Sequence, residues 1–252
     1  WPAVRKQLAG GHLGTAISGG GALPRHIDGF FEAIGIELLV GYGLTETSPV
    51  LSCRRRWANR RGSAGRPLPG TELRIVDPES RRTLAMGEQG LVLARGPQVM
   101  AGYFHRPEAT AAALDGEGWF NTGDLGRLMA DGSLFLTGRA KDTIVLSSGE
   151  NIEPGPLEDE LASSDLVEQV MLVGQDRRQL GALVVPRHEA LACLAAEQGL
   201  VVPASWPDDS PAGADAALRK LLTSRLNRML AATYRHLGLQ EEACEAEARR
   251  YA

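Results

Sequence analysis

Cysteine is scarce in this 252-residue chain: Cys53, Cys193 and Cys244 stand far apart and are odd in number. That excludes a disulfide framework and offers no metal-ligand spacing, so a reducing compartment is expected. Long apolar runs are also missing. None approaches the roughly 20 residues that a membrane-spanning helix needs. There is no excess of positive charge; the net charge is −4, which excludes a global basic field for nucleic acid or anionic lipid. No internal repeat is visible. The chain opens on Trp1-Pro2 instead of a Met followed by a basic and apolar signal segment. A non-native start is therefore expected, with any targeting segment missing. What is present, 43% hydrophobic and 23% charged residues, suits one large or two modest globular domains.

The chain is organised around YGLTETSP, Tyr42 to Pro49. The apolar segment IELLVGYG before it has the length of a strand, and Gly41 and Gly43 let the backbone turn and let a ligand approach. Tyr42, Thr45, Glu46, Thr47 and Ser48 then offer a ring to stack, hydroxyls for phosphate oxygens and one carboxylate for a metal. A turn that merely satisfies its own backbone would use the same residue types. Upstream, LGTAISGGG reads as a buried strand running into the turn Gly19-Gly20-Gly21. That turn suits either close approach to a flat ligand or a tight strand-to-helix connection. RHIDGFFEAIG places Ile27, Phe30, Phe31 and Ile34 on one helical face, stopped by Gly35. Strand, helix and strand within about 30 residues make an α/β unit with a parallel sheet, and ligands belong at the carboxyl ends of such strands.

From Val50 to Pro69 the chain is polar, with Arg54, Arg55, Arg56, Arg60 and Arg61 around Trp57. It reads as a solvated loop, with phosphate contact or an acidic partner as the alternative. TELRIVDP, GEQGLVLARGP and QVMAGYF then read as short strands of a β-rich subdomain, and EATAAAL as a short helix. In GWFNTGDLG, Gly118 to Gly126, a carboxylate in a Gly-rich turn, Asp124, suits two vicinal hydroxyls, as on a ribose; an Asx-type turn would use it equally well. LGRLMADGSLFLTGR is a hairpin turning at Asp131-Gly132. In TGRAKDTIVLSSGENIEP the charged junction Arg139-Ala140-Lys141 reads as a hinge or boundary. There Arg139 either reaches a phosphate or ribose oxygen or pairs with Asp142. Helix, strand, turn and strand follow, then an Ala-rich helix and a Pro/Asp/Ser linker, PASWPDDSPAGAD. AALRKLLTSRLNRMLAATY reads as a core-facing helix, with Leu218, Leu221, Leu222, Leu226 and Met229 on one side. A charged, solvated end closes the chain.

In order and spacing, SGGGALP, YGLTETSP, GWFNTGDLG and TGRAKDTIVLSSGENIEP resemble the AMP-forming adenylate synthetases. GENIEP is most similar to the long-chain acyl-CoA and acyl-carrier-protein synthetases. The resemblance implies a carboxyl-terminal part of a large α/β adenylate-forming domain over 1–140, with its β-rich subdomain at about 61–140. A small, mobile α+β lid follows over 141–252. It further implies that a fatty acid attacks ATP to give an acyl-adenylate and pyrophosphate, after which the thiol of coenzyme A or of acyl-carrier-protein phosphopantetheine displaces AMP. Gly19, Gly20 and Gly21 would lie against the adenine, with Tyr42 stacked on it beside Gly43. Thr45 would bind the α-phosphate and Glu46 the Mg²⁺. Asp124 would take both ribose hydroxyls, supported by Arg139. Lys141 would be the hinge, and Ser148, Gly149 and Asn151 would line the thiol channel.

Two family features find no match: the Ser/Thr/Gly-rich phosphate loop and a C-terminal adenylation lysine, Lys220 being the one lysine after Lys141. The expectation is a fragment inactive by itself, lacking the amino-terminal part of the same enzyme. Cytoplasmic location is expected, with peripheral membrane contact and a plastid left open. The alternatives are an amino-acid adenylation domain, or a catalytically dead nucleotide-binding or interaction protein.

Overall fold

The computed structural model describes residues 1–200, 202, 220–226 and 228. The chain divides into two compact units, Trp1–Asp142 and Thr143–Ala252.

In the first unit, helix α1 (Pro2–Ala9) precedes strand β1 (Thr15–Ser18), helix α2 (Arg25–Ala33) and strand β2 (Glu37–Gly43). β1 and β2 pair in parallel, from Thr15 opposite Glu37 to Ser18 opposite Val40. The crossover through α2 allows this, since parallel neighbours cannot be joined by a tight hairpin. Gly35, at φ +78°, ends the α2 region in the left-handed conformation that glycine adopts without strain. Strands β3 (Val50–Cys53) and β4 (Arg66–Pro67) extend the sheet antiparallel, in the order β1-β2-β3-β4. The expected burial of β1 does not hold: it is the sheet's edge, and Ile17 is 81% exposed.

A second sheet, of order β5-β6-β7-β8, is antiparallel throughout: β5 (Glu72–Val76), β6 (Gln89–Arg95), β7 (Phe120–Leu128) and β8 (Leu134–Arg139). Helix α3 (Pro107–Ala113) lies in the connection between β6 and β7. Strand β6 is covered on both faces. Val92 and Ala94 join Tyr42, Leu51, Ala64, Ile75 and Leu134 in one core, while Leu91 and Leu93 join Val76, Trp119 and Leu125 in another. The first of these cores ties the two sheets together. The hairpin between β7 and β8 turns at Asp131-Gly132 as expected; Gly132 has φ +80° and Asp131 Oδ1 accepts the Ser133 N–H at 3.0 Å.

Two readings of this unit are corrected. QVMAGYF is not a strand. Its backbone donors are used elsewhere: Met100 N–H donates to the Glu46 carbonyl at 2.8 Å, and Tyr103 N–H to Thr110 Oγ1 at 2.9 Å. The arginine-rich stretch is not simply a solvated loop either. It contains β3 and β4, and Arg54 is buried with Asp28 of α2, Nη1 to Oδ2 at 2.8 Å, their side chains 3% and 7% exposed. Asp28 also accepts the Gly62 N–H at 3.1 Å. Arg56, Arg60 and Arg61 pair with Glu37, Asp131 and Glu32 at the surface, where such pairs contribute about 0–1 kcal/mol each. The acidic partners of the arginine run therefore lie within the unit itself.

In the second unit, β9 (Ile144–Val145) and β10 (Asn151–Ile152) form a small hairpin. Helix α4 (Pro154–Ala162), the antiparallel pair β11 (Val167–Val173) and β12 (Gly181–Pro186), and helix α5 (His188–Ala196) follow. The strand expected over TIVLSS shrinks to Ile144–Val145, because the chain turns back over residues 146–149, where the Gly149 N–H donates to the Leu146 carbonyl at 2.8 Å. Ile144, Leu146, Ile152, Leu157, Leu161, Val167 and Leu172 form the core with Leu226, and Leu222 packs against it. Residues 220–226 are helical, as the leucine spacing predicts; Leu218, Met229, the linker 203–215 and the charged end lie outside the described residues. Among the described residues, no helix is long and apolar enough to cross a membrane.

Asp28→Ala leaves the buried Arg54 guanidinium without its counter-charge and should destabilise the first unit by about 3–5 kcal/mol. Urea unfolding should show this as a lowered midpoint, and Asp28→Ala combined with Arg54→Met should recover much of it. A midpoint unchanged by Asp28→Ala would refute the internal role of the pair.

Candidate functional site

β1 and β2 run parallel, so the turns at their carboxyl ends meet. A Cβ on Gly19 would stand 3.4 Å from the Gly41 carbonyl oxygen, which puts the Gly19-Gly20-Gly21 turn directly beside the approach to Tyr42. β2 ends at Gly43, and a three-residue 3₁₀ turn, Thr45–Thr47, returns the chain into β3. Gly43 is required by this turn itself: a Cβ there would lie 1.8 Å from the Pro49 carbonyl oxygen. Thr47 is fully buried; its hydroxyl accepts the Leu44 N–H, and the carbonyls of Leu44 and Pro49 both lie within reach of its single O–H. That hydroxyl is consumed by the turn and is not offered to a ligand. Thr45 and Ser48 are exposed, and Glu46 is half-buried.

Asp124 lies in the middle of β7 and not in a turn as its glycine neighbours suggested. Gly123, at φ +73°, marks an irregularity in the ladder, and the pairing of β7 shifts register on both sides. The Asp124 side chain is 9% exposed and, among the described residues, has two side-chain partners from other strands of the same unit. Tyr42 Oη donates to Oδ2 at 2.6 Å, and Arg139 Nε stands 3.2 Å from Oδ1. Arg139 is the register partner of Asp124 on β8 and contacts its carboxylate; Asp142 donates its backbone N–H to the Arg139 carbonyl at 3.0 Å. The Asp124 N–H is held by Thr122 Oγ1 at 3.1 Å, and that hydroxyl donates to the Val92 carbonyl at 2.8 Å. Trp119, at the head of the same motif, is 3% exposed, with the guanidinium groups of Arg74 and Arg95 at 4.0 and 4.6 Å from its ring; it anchors the start of β7.

Tyr42 is itself 9% exposed and belongs to the core joining the two sheets. Burial, and next the negative charge of Asp124, push its hydroxyl far above the ordinary tyrosine range. It stays a neutral donor. A carboxylate has about four lone-pair sites; Tyr42 and Arg139 take one on each oxygen, which leaves one acceptor position on each. Two neighbouring hydroxyls match that remainder.

Glu46 is held differently. Tyr103 Oη donates to its Oε1 at 2.9 Å, a bond that raises the Tyr103 hydroxyl above its ordinary range. Tyr103 escaped the sequence reading, being 57 positions from Glu46 in a stretch read as a strand. Among the described residues no three or more His, Cys, Asp or Glu side chains converge as a metal cage. Glu46 as a lone carboxylate still fits magnesium, which is commonly held by one or two carboxylates together with phosphate oxygens and waters. Lys141 is exposed at the end of the first unit; Ser148, Gly149 and Asn151 are exposed in the β9–β10 hairpin of the second.

Two family descriptions match, AMP-binding enzyme over 2–104 and AMP-binding enzyme C-terminal domain over 141–209. The chain belongs to the AMP-binding enzymes. It is 51% identical to a chloroplastic long-chain-fatty-acid–[acyl-carrier-protein] ligase of Arabidopsis thaliana, over 69% of this chain and 25% of that protein. It is 38% identical to a long-chain-fatty-acid–CoA ligase of Mycobacterium bovis, over 72% of this chain and 28% of that one. The chain thus spans about a quarter of the length of these AMP-binding relatives. Among solved structures it is similar to O-succinylbenzoate coenzyme A synthetase of Bacillus subtilis in complex with ATP and magnesium ion. That match has a TM-score of 0.61 and 30% identity, covering 69% of this chain and 36% of that one. Apo MatB of Rhodopseudomonas palustris matches with a TM-score of 0.58 at 26% identity, over 87% of this chain and 47% of that one. These likenesses bear out the mixed α/β fold and the family expected from the four motifs.

The Tyr42 hydroxyl makes the stability of this unit sensitive to alkali. An unfolded chain releases the tyrosine proton near pH 10, whereas the folded one retains it. Stability is then fully present below about pH 10 and falls above it by about 1.4 kcal/mol per pH unit from this group. Tyr42→Phe should cost about 1.5–3 kcal/mol at pH 8, where a bond to a buried carboxylate is lost. It should also show a shallower decline between pH 10 and 11.5 in melting temperature. Parallel alkaline profiles for the two proteins would contradict the assignment.

Proposed function

We propose that this chain carries the nucleotide-handling part of an AMP-forming acid–thiol ligase that acts on long-chain fatty acids. The observation that carries the reading is Asp124: a nearly buried carboxylate with each oxygen fixed by one protein donor and one acceptor position left on each. In this reading those positions receive the two hydroxyls of the ATP ribose. The Gly19–Gly21 turn approaches the adenine beside Tyr42 and Gly43, Tyr42 contributing chiefly by orienting Asp124. Arg139 balances the Asp124 charge and supports the ribose or phosphate. Thr45 meets the α-phosphate, and Glu46 holds Mg²⁺.

Mg²⁺, when bound, supplies positive charge to the phosphate oxygens; the chain's own residues bind and orient. Displacement at phosphorus depends mainly on such positioning and charge neutralisation. The carboxylate of the fatty acid attacks the α-phosphorus, pyrophosphate leaves, and a thiol then displaces AMP from the acyl carbon. Lys141, at the junction of the two units, is the hinge in this reading. Ser148, Gly149 and Asn151 belong to the thiol step. The identities to long-chain ligases favour a fatty acid over an aryl or amino acid; the thiol is that of coenzyme A or of acyl-carrier-protein phosphopantetheine.

Asp124→Ala in the protein that carries this sequence should weaken ATP binding by about 2–4 kcal/mol, roughly 30- to 1,000-fold. Calorimetry on folded variants reads this directly, and Asp124→Asn, which keeps an acceptor for Tyr42, separates ribose contact from fold. Unaltered ATP affinity in both variants would rule out the ribose role. For the substrate, ATP–pyrophosphate exchange should depend on palmitate and not on benzoate; the reverse dependence would overturn the fatty-acid assignment.

A further inference from the structure

Given that Glu46 holds the nucleotide's magnesium, as proposed above, the geometry points to Tyr103 as the positioning residue that aims the Glu46 carboxylate at the metal. Glu46 stands in a three-residue turn between two strands, where its backbone is well fixed but its side chain is half-buried and long. Among the described residues its carboxylate has one hydrogen-bond donor, Tyr103 Oη at 2.9 Å. The same connection also holds the Glu46 backbone, through Met100 N–H to its carbonyl at 2.8 Å. Residues 100–103 thus grip Glu46 at both ends.

Tyr103 is in turn tied to α3. Its N–H donates to Thr110 Oγ1 at 2.9 Å, and that hydroxyl donates to the Arg106 carbonyl at 2.9 Å. The close approach needs glycine at position 102: a Cβ there would lie 2.7 Å from Thr110 Cγ2. A chain of contacts therefore runs from α3 through Thr110 and Tyr103 to Glu46. The tyrosine uses one of the carboxylate's lone pairs and leaves Oε2, with the rest of Oε1, for a cation. Neutral tyrosine suits this task, because a Lys or Arg there would cancel the charge that attracts the metal. Without Tyr103 the Glu46 side chain samples several rotamers, and metal binding must select one of them.

The test is Mn²⁺ binding, read by electron paramagnetic resonance with α,β-methylene-ATP present, in the wild-type protein, Tyr103→Phe and Glu46→Gln. Tyr103→Phe keeps the ring of a residue that is already 37% exposed, so its melting temperature should match the wild type. Its Mn²⁺ affinity should fall about tenfold, as for loss of a partner that orients a metal ligand, and metal-free nucleotide affinity should be unchanged. In ATP–pyrophosphate exchange the apparent Mg²⁺ requirement should rise by a similar factor, with most of the rate restored at saturating Mg²⁺. Unchanged Mn²⁺ affinity in Tyr103→Phe with a large loss in Glu46→Gln would overturn the role of Tyr103 alone. Unchanged affinity in both would overturn the metal role of Glu46 and this inference with it.

Discussion

The hydrogen bond from Tyr42 to Asp124 spans 82 residues and joins the end of the parallel pair to the middle of the antiparallel sheet. A nearly buried carboxylate is tolerable only when its oxygens have partners. That requirement fixes the hydroxyl of Tyr42 and holds Arg139, at the end of β8, beside Asp124. The core that includes Tyr42, Leu51, Ile75, Val92 and Leu134 supplies the apolar burial that brings the two sheets into reach. The polar contact then selects one arrangement of them.

The same unit holds its two candidate ligand-binding carboxylates in contrasting ways. Asp124 sits on a central strand, with its N–H, both its oxygens and its register neighbour all engaged. Glu46 sits on a turn and takes a single donor from a connection between strands. A rigid acceptor suits hydroxyls of fixed separation, whereas a carboxylate with one adjustable contact suits a hydrated cation that brings phosphate oxygens with it. Under the proposed reading, the ribose end is gripped by the sheet and the phosphate end by turns.

Much of the framework was legible beforehand because its signals are local. The amphipathic spacing of α2, its stop at Gly35, the parallel pair around it and the Asp131-Gly132 hairpin each follow from a few neighbouring residues. The four motifs identify the family because order and spacing are properties of the chain alone. Three of the failures share one cause, a partner distant in sequence. Arg54 reads as solvated until Asp28 is placed beside it. QVMAGYF has the alternation of a strand, yet its donors go to Glu46 and Thr110. Asp124 has glycine neighbours typical of a turn, yet β6 and β8 close on either side of it.

The sequence by itself therefore determined the family, the mixed α/β class and the residue types offered at the candidate site. Local propensity and motif spacing carry that much. Tertiary structure alone decided which of those residues face one another. It set Tyr42 in the core with its hydroxyl on Asp124, and it brought Tyr103 to Glu46. Pairings of this kind depend on how sheets stack and loops close, and no window along the chain contains both partners.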